Sequence, residues 1–249
     1  MKKKIIYIIG GSGLLGSEIV KQVDKIFFNI VVLDIKKNAK FNNKIKYKKF
    51  DCTKTNLIKK QLSRCFKTFG KPDILINCSY PKSKDWNKID FKKENPKLLK
   101  NNIEYHLNSY ALITQITCNN IKKKGGSIIN VSSIYGEVGQ DESLYEGTKI
   151  KSNYIYSLIK SGIIGMTKTF ASHYGKYNIR INCISPGGIR DKNNKFQNKR
   201  FMKNYSNRVP LKRMAKVNEI AAPILFLASE KSSYITGTNI LVDGGWTCI

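Results

Sequence analysis

A short apolar segment followed by a glycine-rich turn is the feature that most limits what this chain can fold into. Lys4 to Ile9 is a run rich in β-branched residues, typical of a strand buried on both faces of a parallel sheet. The next residues are Gly10-Gly11-Ser12-Gly13-Leu14-Leu15-Gly16, and they open a helical pattern through Val20 and Val23. This order predicts a strand, a tight turn and a helix whose N-terminus can bind a phosphate.

The rest of the chain alternates strand-like and helix-like segments. Further strands are predicted at Asn29–Leu33, Ile45–Phe50, Pro72–Ser79 and Gly126–Val131. Helices are predicted at Thr55–Phe69, about Pro96–Ile121, and Ser152–Tyr174. We therefore expect one α/β domain over residues 1–249, with a parallel sheet and helices on both of its faces.

Polar residues follow the predicted strands, at the edge where parallel sheets bind ligands. Asp34 ends the second strand, eighteen residues after Gly16, where a dinucleotide fold has the acid that bonds the adenosine ribose. Such a carboxylate repels the extra phosphate of NADP, so NAD is the predicted cofactor and NADP the less favoured one, although Lys36 and Lys37 weaken the repulsion. The alternative is that Asp34 merely ends a strand.

Two Tyr-x-x-x-Lys sequences lie in the middle of the chain, Tyr145 to Lys149 and Tyr156 to Lys160. On a helix this spacing puts both side chains on one face, where the ammonium lowers the tyrosine pKa from about 10 toward neutrality. Such a pair suits general acid/base catalysis, and a solvated surface pair is the alternative. We choose Tyr156 and Lys160, because Gly147 interrupts the first sequence and the second continues as a helical pattern.

Charge and cysteine usage bear on partners and compartment. The net charge of +28 would suit nucleic acid or an anionic membrane, but the lysines are spread along the whole chain, so we interpret the charge as compositional. The six cysteines form no Cys-x-x-Cys pair, which favours reduced thiols in the cytoplasm over a metal site. We expect no metal, no nucleic acid and no membrane among the partners.

The order of these motifs resembles the short-chain dehydrogenase/reductase family, from Lys4 to Gly245. The resemblance adds a mid-helix Asn108, Ser133 after the fifth strand, the segment Asn182–Gly188 and the ending Tyr234–Gly245. It implies a Rossmann-type fold, which is a doubly wound parallel sheet of about seven strands. It also implies hydride transfer between nicotinamide and a carbonyl or alcohol. The chain departs from the family pattern at Ile9, where Thr is common, and at Cys78-Ser79-Tyr80, where Asn-Ala-Gly is common.

The resemblance also implies roles for individual residues. Tyr156 would exchange the hydroxyl proton, Ser133 would hold the substrate oxygen, Lys160 would serve Tyr156 and the nicotinamide ribose, and Asn108 would position a water beside Lys160. The expected cofactor-binding residues are Gly10, Gly11, Ser12, Gly13, Leu15, Gly16, Asp34, Asp51, Cys52, Asn77, Ser79, Tyr156, Lys160, Pro186, Gly187 and Ile189.

An inserted loop at about residues 134–153 narrows the resemblance to the branch for flagellin modification and surface-polysaccharide sugars. That implies a sugar phosphate or nucleotide sugar as the substrate. A substrate loop at about residues 188–210 suits a phosphorylated ligand, although a solvated lysine face is the alternative. Its basic residues are Arg190, Lys192, Lys195, Lys199, Arg200, Lys203 and Arg208.

Other functions stay open from the sequence. The same catalytic residues could serve a reductase of 3-oxoacyl thioesters or of other carbonyl compounds, and a non-enzymatic dinucleotide-binding or nucleic-acid-associated protein is a lesser alternative. The family's packing of its two long helices, together with the apolar tail Asn239–Ile249, predicts a homotetramer or a homodimer.

Overall fold

The computed structural model describes residues 3–23, 28–89, 91–92, 94–148, 150–194 and 197–249. These residues form one sheet of parallel strands in the order β3-β2-β1-β4-β5-β6-β7. The predicted α/β fold with about seven strands is confirmed. The strands are β1 (Lys4–Ile9), β2 (Phe28–Asp34), β3 (Lys46–Lys49), β4 (Ile74–Asn77), β5 (Gly126–Val131), β6 (Ile179–Pro186) and β7 (Asn239–Val242).

Helices cover both faces of the sheet, which explains why the central strands β1, β4 and β5 are mostly apolar without alternation. On β1, Ile6 and Ile8 belong to one buried cluster, while Tyr7 and Ile9 belong to the cluster on the opposite face. The helices are α1 (Leu14–Gln22), α2 (Ile58–Phe69), α3 (Pro96–Asn102), α4 (Ser109–Ile121), α5 (Tyr154–Tyr174), α6 (Lys199–Arg208) and α7 (Val217–Ala228). Helices α1 and α7 pack against the first cluster, and α2, α4 and α5 against the second.

The strand order changes direction at β1, which pairs with β2 on one side and with β4 on the other. The connections from β1 therefore diverge there and leave a crevice outside the carboxyl ends of the strands. Asn77 ends β4 and is paired in register with Ile9 of β1 and Asn130 of β5. The candidate site lies at this edge.

Two segments differ from their predicted structure. The predicted helix Pro96–Ile121 contains a wide π-helical turn at Ile103–Asn108, between α3 and α4. The predicted substrate loop becomes helix α6 in its second half, and Asn198 caps this helix by accepting a hydrogen bond from the Phe201 amide at 2.9 Å. Within the described part of the chain, no helix is both long and apolar enough to cross a membrane.

Candidate active site

The glycine turn after β1 forms one wall of a long cleft. Gly10 has a φ of 74°, and a Cβ atom there would lie 2.7 Å from the backbone of Ser79, so the turn can approach the end of β4 only as glycine. The cleft has a volume of about 760 Å³ and runs from this turn past Asp34 and Asp51 to Ser79. We call it the cofactor cleft.

Asp34 is fixed against the glycine turn. Its Oδ2 accepts a hydrogen bond from the Ser12 amide at 3.0 Å, and its carboxylate lines the cofactor cleft. A ribose diol can donate to such a carboxylate, and the α1 N-terminus beside it suits a pyrophosphate. The cleft therefore fits a dinucleotide.

A second cavity continues from the cofactor cleft and contains the catalytic candidates. It has a volume of about 320 Å³ and shares Cys78, Ser79, Tyr80 and Ile189 with the cleft. We call it the inner cavity. Ser133, Tyr156 and Lys160 all line it, so three of the four predicted catalytic residues lie together.

Tyr156 and Lys160 lie one turn apart on α5, and both are held by neighbours from other elements. Tyr156 shares the lining of the inner cavity with Ser133, which lies two residues after the end of β5. Lys160 is only 3% exposed, and its Nζ donates to the Val131 carbonyl oxygen at 3.0 Å. The same Nζ lies 5.5 Å from the centre of the Tyr156 ring, within the range of a cation–π contact.

Burial shifts the pKa of both catalytic groups away from their charged forms. It raises the pKa of Tyr156, and the nearby Ser133 side chain offsets only part of that rise. It lowers the pKa of Lys160 to about 8. The prediction that Lys160 brings the Tyr156 pKa toward neutrality is therefore wrong for this structure, in which desolvation by burial is the largest cause of the Tyr156 pKa shift.

The prediction for Asn108 is also wrong. Asn108 is exposed, and its amide donates to the Glu104 carboxylate on the outside of the helix. His106 instead is fully buried, with Nε2 at 3.4 Å from Lys160 Nζ. The π turn adds a residue to this turn of the helix and so changes which side chain faces α5.

Aromatic rings surround the catalytic tyrosine. The centroids of Tyr80, Tyr135 and Trp86 lie 5.9, 6.4 and 6.4 Å from that of Tyr156. Trp246 packs on the far side of Tyr135 with a centroid distance of 6.4 Å. We call this group of rings around Tyr156 the aromatic chamber, and its members Tyr80, Tyr135 and Tyr156 line the inner cavity.

Two segments that the sequence marked as loops cover the inner cavity. Tyr145 of the inserted loop and Phe201 of α6 both line it, so Tyr145 lies near Tyr156 without sharing its helix. Lys149, the partner of Tyr145 in the first Tyr-x-x-x-Lys sequence, lies outside the described residues. The Asn204 amide of α6 donates to three carbonyl oxygens of the inserted loop, those of Ser143, Leu144 and Glu146.

Most predicted cofactor residues line the two cavities. Those that do are Gly10, Gly13, Leu15, Gly16, Asp34, Asp51, Cys52, Ser79, Tyr156, Lys160, Pro186, Gly187 and Ile189. Gly11, Ser12 and Asn77 do not. A Cβ at Gly11 would meet the Val32 side chain, the Ser12 amide bonds Asp34, and buried Asn77 accepts hydrogen bonds from Ser79.

A phosphate site among the basic residues of the substrate loop stays a prediction. Those that the structure describes line neither the inner cavity nor the outer cavity of about 430 Å³ that adjoins it at Tyr80 and Phe201. Arg208 pairs with Asp141 at 3.2 Å, and Arg190 contacts Met202. Lys195 lies outside the described residues.

The chain is similar in sequence and in structure to known dehydrogenases and reductases. A family model described as enoyl-(acyl carrier protein) reductase matches residues 15–247. The chain is 29% identical to post-translational flagellin modification protein A of Campylobacter coli over 99% of both chains. It is also 34% identical to a 3-oxoacyl-(acyl-carrier-protein) reductase of Thermotoga maritima, over 78% of this chain and 73% of that protein.

A solved dehydrogenase structure is also similar to this chain. A short-chain dehydrogenase from Leptospira borgpetersenii serovar Hardjo-bovis with bound NAD⁺ superposes with a TM-score of 0.87 at 33% identity, covering 99% of this chain and 94% of that one. The glycine turn, the acid at the end of β2 and the Ser133, Tyr156 and Lys160 cluster agree with this similarity. The chain belongs to the short-chain dehydrogenase/reductase family and is an oxidoreductase that uses a nicotinamide dinucleotide.

Proposed function

We propose that this oxidoreductase acts on a phosphorylated or nucleotide-linked sugar, in the synthesis of a surface or flagellar glycan. The full-length similarity to flagellin modification protein A supports this assignment. We also propose NAD as the preferred cofactor and the cytoplasm as the compartment, where all six free thiols would stay reduced.

The lining of the inner cavity is the observation that carries this proposal. Its volume of about 320 Å³ lies near the lower end of small-molecule sites, which span roughly 300 to 1,000 Å³. Aromatic rings can pack against the C–H face of a sugar ring, and phenol hydroxyls can exchange hydrogen bonds with its hydroxyls. The tyrosines of the lining are Tyr80, Tyr110, Tyr135, Tyr145, Tyr156 and Tyr205.

The catalytic roles follow from the contacts around Tyr156. When bound, the nicotinamide supplies or accepts the hydride. Tyr156 takes the proton of the substrate hydroxyl in the oxidative direction and returns it to the carbonyl oxygen in the reductive direction. Ser133 lines the inner cavity together with Tyr156 and so can hold the same substrate oxygen. Lys160 stabilises the phenolate that forms when Tyr156 has given up its proton.

The phosphate or nucleotide is expected outside the inner cavity. Of the described residues that line it, Lys160 is the only charged one, and its Nζ is already bonded to the Val131 carbonyl. The outer cavity, by contrast, is lined by Trp86, Lys151 and several amide side chains. A sugar in the inner cavity with its nucleotide in the outer cavity would use both spaces.

A 3-oxoacyl thioester is the second candidate substrate. The similarity to a 3-oxoacyl-(acyl-carrier-protein) reductase supports it, and Ile134, Leu144 and Phe201 offer the inner cavity an apolar wall for an acyl chain. The outer cavity would then hold the polar arm of the thioester. The catalytic residues would keep the same roles.

A kinetic assay distinguishes the two substrates. The change in NADH absorbance is followed with nucleotide sugars, sugar phosphates, free sugars and 3-oxoacyl thioesters, with Tyr156→Phe as the inactive control. We expect one phosphorylated or nucleotide-linked sugar to exceed every thioester in kcat/KM by at least about tenfold. Turnover of thioesters alone would replace the sugar with the second candidate, and turnover of free sugars alone would contradict the phosphorylated substrate.

A further inference from the structure

His106 is the polar group nearest Lys160 whose purpose the family resemblance does not explain. It lies in the π turn, its side chain is fully buried, and its Nε2 is 3.4 Å from Lys160 Nζ. Its Nδ1 is buried without a hydrogen-bonding partner among the residues that the structure describes. A buried imidazole on a turn of unusual width calls for a physical account.

The protonation of His106 follows from its neighbours. The Lys160 ammonium has three N–H donors and no acceptor, so a nitrogen facing it must carry a lone pair. Burial and the charge of Lys160 both hold the pKa of His106 well below its ordinary value, so the ring is neutral. A neutral ring that accepts at Nε2 carries its proton on Nδ1.

With His106 Nε2 as an acceptor, the three N–H groups of Lys160 can be assigned to different partners. One N–H is directed to the Val131 carbonyl oxygen at 3.0 Å and a second to His106 Nε2, which leaves one for the cofactor side of the site. Lys160 and His106 are otherwise enclosed by groups without a formal charge at neutral pH. These groups are Tyr80 after β4, Tyr110 of α4, Cys183 of β6 and Tyr156 of α5.

We propose that His106 is a positioning residue that accepts a hydrogen bond from Lys160 and so aims the remaining Lys160 proton at the ribose of the bound cofactor. The proposal rests on the assigned role of Lys160 in cofactor binding, and it does not depend on which substrate the enzyme uses. Without this acceptor, the Lys160 ammonium would lose a directional contact and some of the stabilisation of its charge.

Cofactor binding tests the proposal without a substrate. The Kd for NAD is measured by titration calorimetry, from about pH 6 to about pH 10, for the parent, His106→Gln and His106→Phe. Gln keeps an acceptor oxygen at the end of its side chain, while Phe keeps the ring and removes the acceptor. His173→Phe is the matched control, because His173 is the other histidine of the chain and is exposed on α5.

We expect His106→Phe to weaken NAD binding by about 10- to 100-fold, the range for losing a hydrogen bond to a charged group. The parent should lose NAD affinity as the pH rises through the Lys160 pKa of about 8. In His106→Phe that loss should begin at a lower pH, because the ammonium is less stabilised. His106→Gln should restore both properties to within about threefold of the parent, and His173→Phe should change neither.

Three results would overturn the proposal: parent-like NAD affinity and pH midpoint in His106→Phe, equal impairment by Gln and Phe, or a ring proton on Nε2. The last is measured on the parent by the ¹⁵N chemical shifts of the imidazole nitrogens, so it decides even if His106→Phe does not fold. Lys160→Ala separates this proposal from the role of Lys160 itself. If Lys160→Ala binds NAD as tightly as the parent, then Lys160 does not contribute to cofactor binding. The role of His106 would then have no basis, whatever the His106 variants show.

Discussion

Tyr156 and Tyr145 both line the inner cavity, but of the two only Tyr156 shares a helix with the buried Lys160. Tyr156→Phe removes the exchangeable proton and should lower kcat by roughly 10²- to 10⁴-fold while NAD still binds. Tyr145→Phe should raise KM more than it lowers kcat, because Tyr145 covers the substrate in ground state and transition state alike. Steady-state kinetics of the two variants check this. Full activity in Tyr156→Phe together with an inactive Tyr145→Phe would reverse the assignment.

Lys160 makes the stability of the cofactor-free protein depend on pH. Below about pH 8 the amine is protonated in the folded and the unfolded chain, and the full cost of burying the charge is present. Between about 8 and 10.5 the folded chain releases the proton while the unfolded chain keeps it, so stability rises with pH across this window. The total rise is of the order of 3 kcal/mol, at about 1.4 kcal/mol for each unit of pKa.

Lys160→Met should remove the contribution of Lys160 to the pH dependence of stability. We expect the difference in the free energy of unfolding, Lys160→Met minus parent, to fall by about 3 kcal/mol between about pH 8 and about pH 10.5. Urea unfolding of both proteins at several pH values measures it, and constant offsets from the lost hydrogen bonds cancel. A difference that does not change with pH would show that Lys160 titrates normally.

Asp34 should set the cofactor preference through its charge. Asp34→Asn keeps an oxygen that can accept from the Ser12 amide and removes the repulsion of a 2′-phosphate. We expect the parent to bind NAD at least about tenfold more tightly than NADP, since like-charge repulsion of about 1.4 to 3 kcal/mol corresponds to factors of roughly 10 to 150. Asp34→Asn should reduce the ratio of the Kd for NADP to the Kd for NAD. Asp51→Asn is the control, because it removes the same charge elsewhere in the cofactor cleft. The measurement is the calorimetric Kd of each variant for NAD and for NADP.

At the scale of elements, α6 holds the inserted loop over the inner cavity. The Asn204 amide donates to carbonyl oxygens of Leu144 and Glu146 at 3.1 Å each and of Ser143 at 3.4 Å. Asn204→Ala removes these bonds, and the loss of about 1 to 2 kcal/mol of loop anchoring should raise KM by roughly 5- to 30-fold with little change in kcat. Asn207→Ala, an exposed position on the same helix, is the matched control. An unchanged KM in Asn204→Ala would mean that the loop stays closed without α6.

The central strands could be predicted from the sequence because burial on both faces restricts which residue types they can contain. The limits predicted for β1 and β5 are those observed, since a strand covered on both faces requires an unbroken run of apolar, mostly β-branched residues. The cofactor cleft was predictable for a related reason. The glycines of the turn and the acid of β2 are fixed by local geometry.

The residues around Lys160 were less predictable because they depend on tertiary packing. The π turn has no signature in the sequence, so the prediction chose Asn108 where the structure brings His106 to α5. Helix α6 was missed because its lysines and arginines obscure an apolar face of Phe201, Met202 and Tyr205. The capping residue Asn198 was the available signal for its start.

At the scale of the whole molecule, the edge of the sheet at β7 is predicted to be covered by another copy of the chain. Leu241 on β7 is 41% exposed, and Tyr234 and Ile249 nearby are more exposed still. An open edge strand with apolar neighbours favours association. We expect a homotetramer or a homodimer by light scattering at micromolar concentration.

Leu241→Lys tests whether the β7 edge is the surface through which copies of the chain associate. A charge on this edge should reduce the oligomer to a smaller assembly, while Leu158→Lys, on the exposed side of α5, probes the helical surface in the same way. Both changes are from leucine to lysine at positions of similar exposure, 41% and 44%. A monomeric parent protein would contradict the prediction.

The aromatic chamber around Tyr156 also gives the protein a built-in optical reporter. The chain has two tryptophans, and both belong to this chamber: Trp86 lies against Tyr80 and Tyr156, and Trp246 against Tyr135 and Tyr205. Intrinsic tryptophan fluorescence therefore comes from two indoles that each pack against tyrosines of the inner cavity. A reduced nicotinamide absorbs where tryptophan emits, so its arrival should quench this emission, and replacing either indole with Phe would tell which side of the chamber senses the ligand.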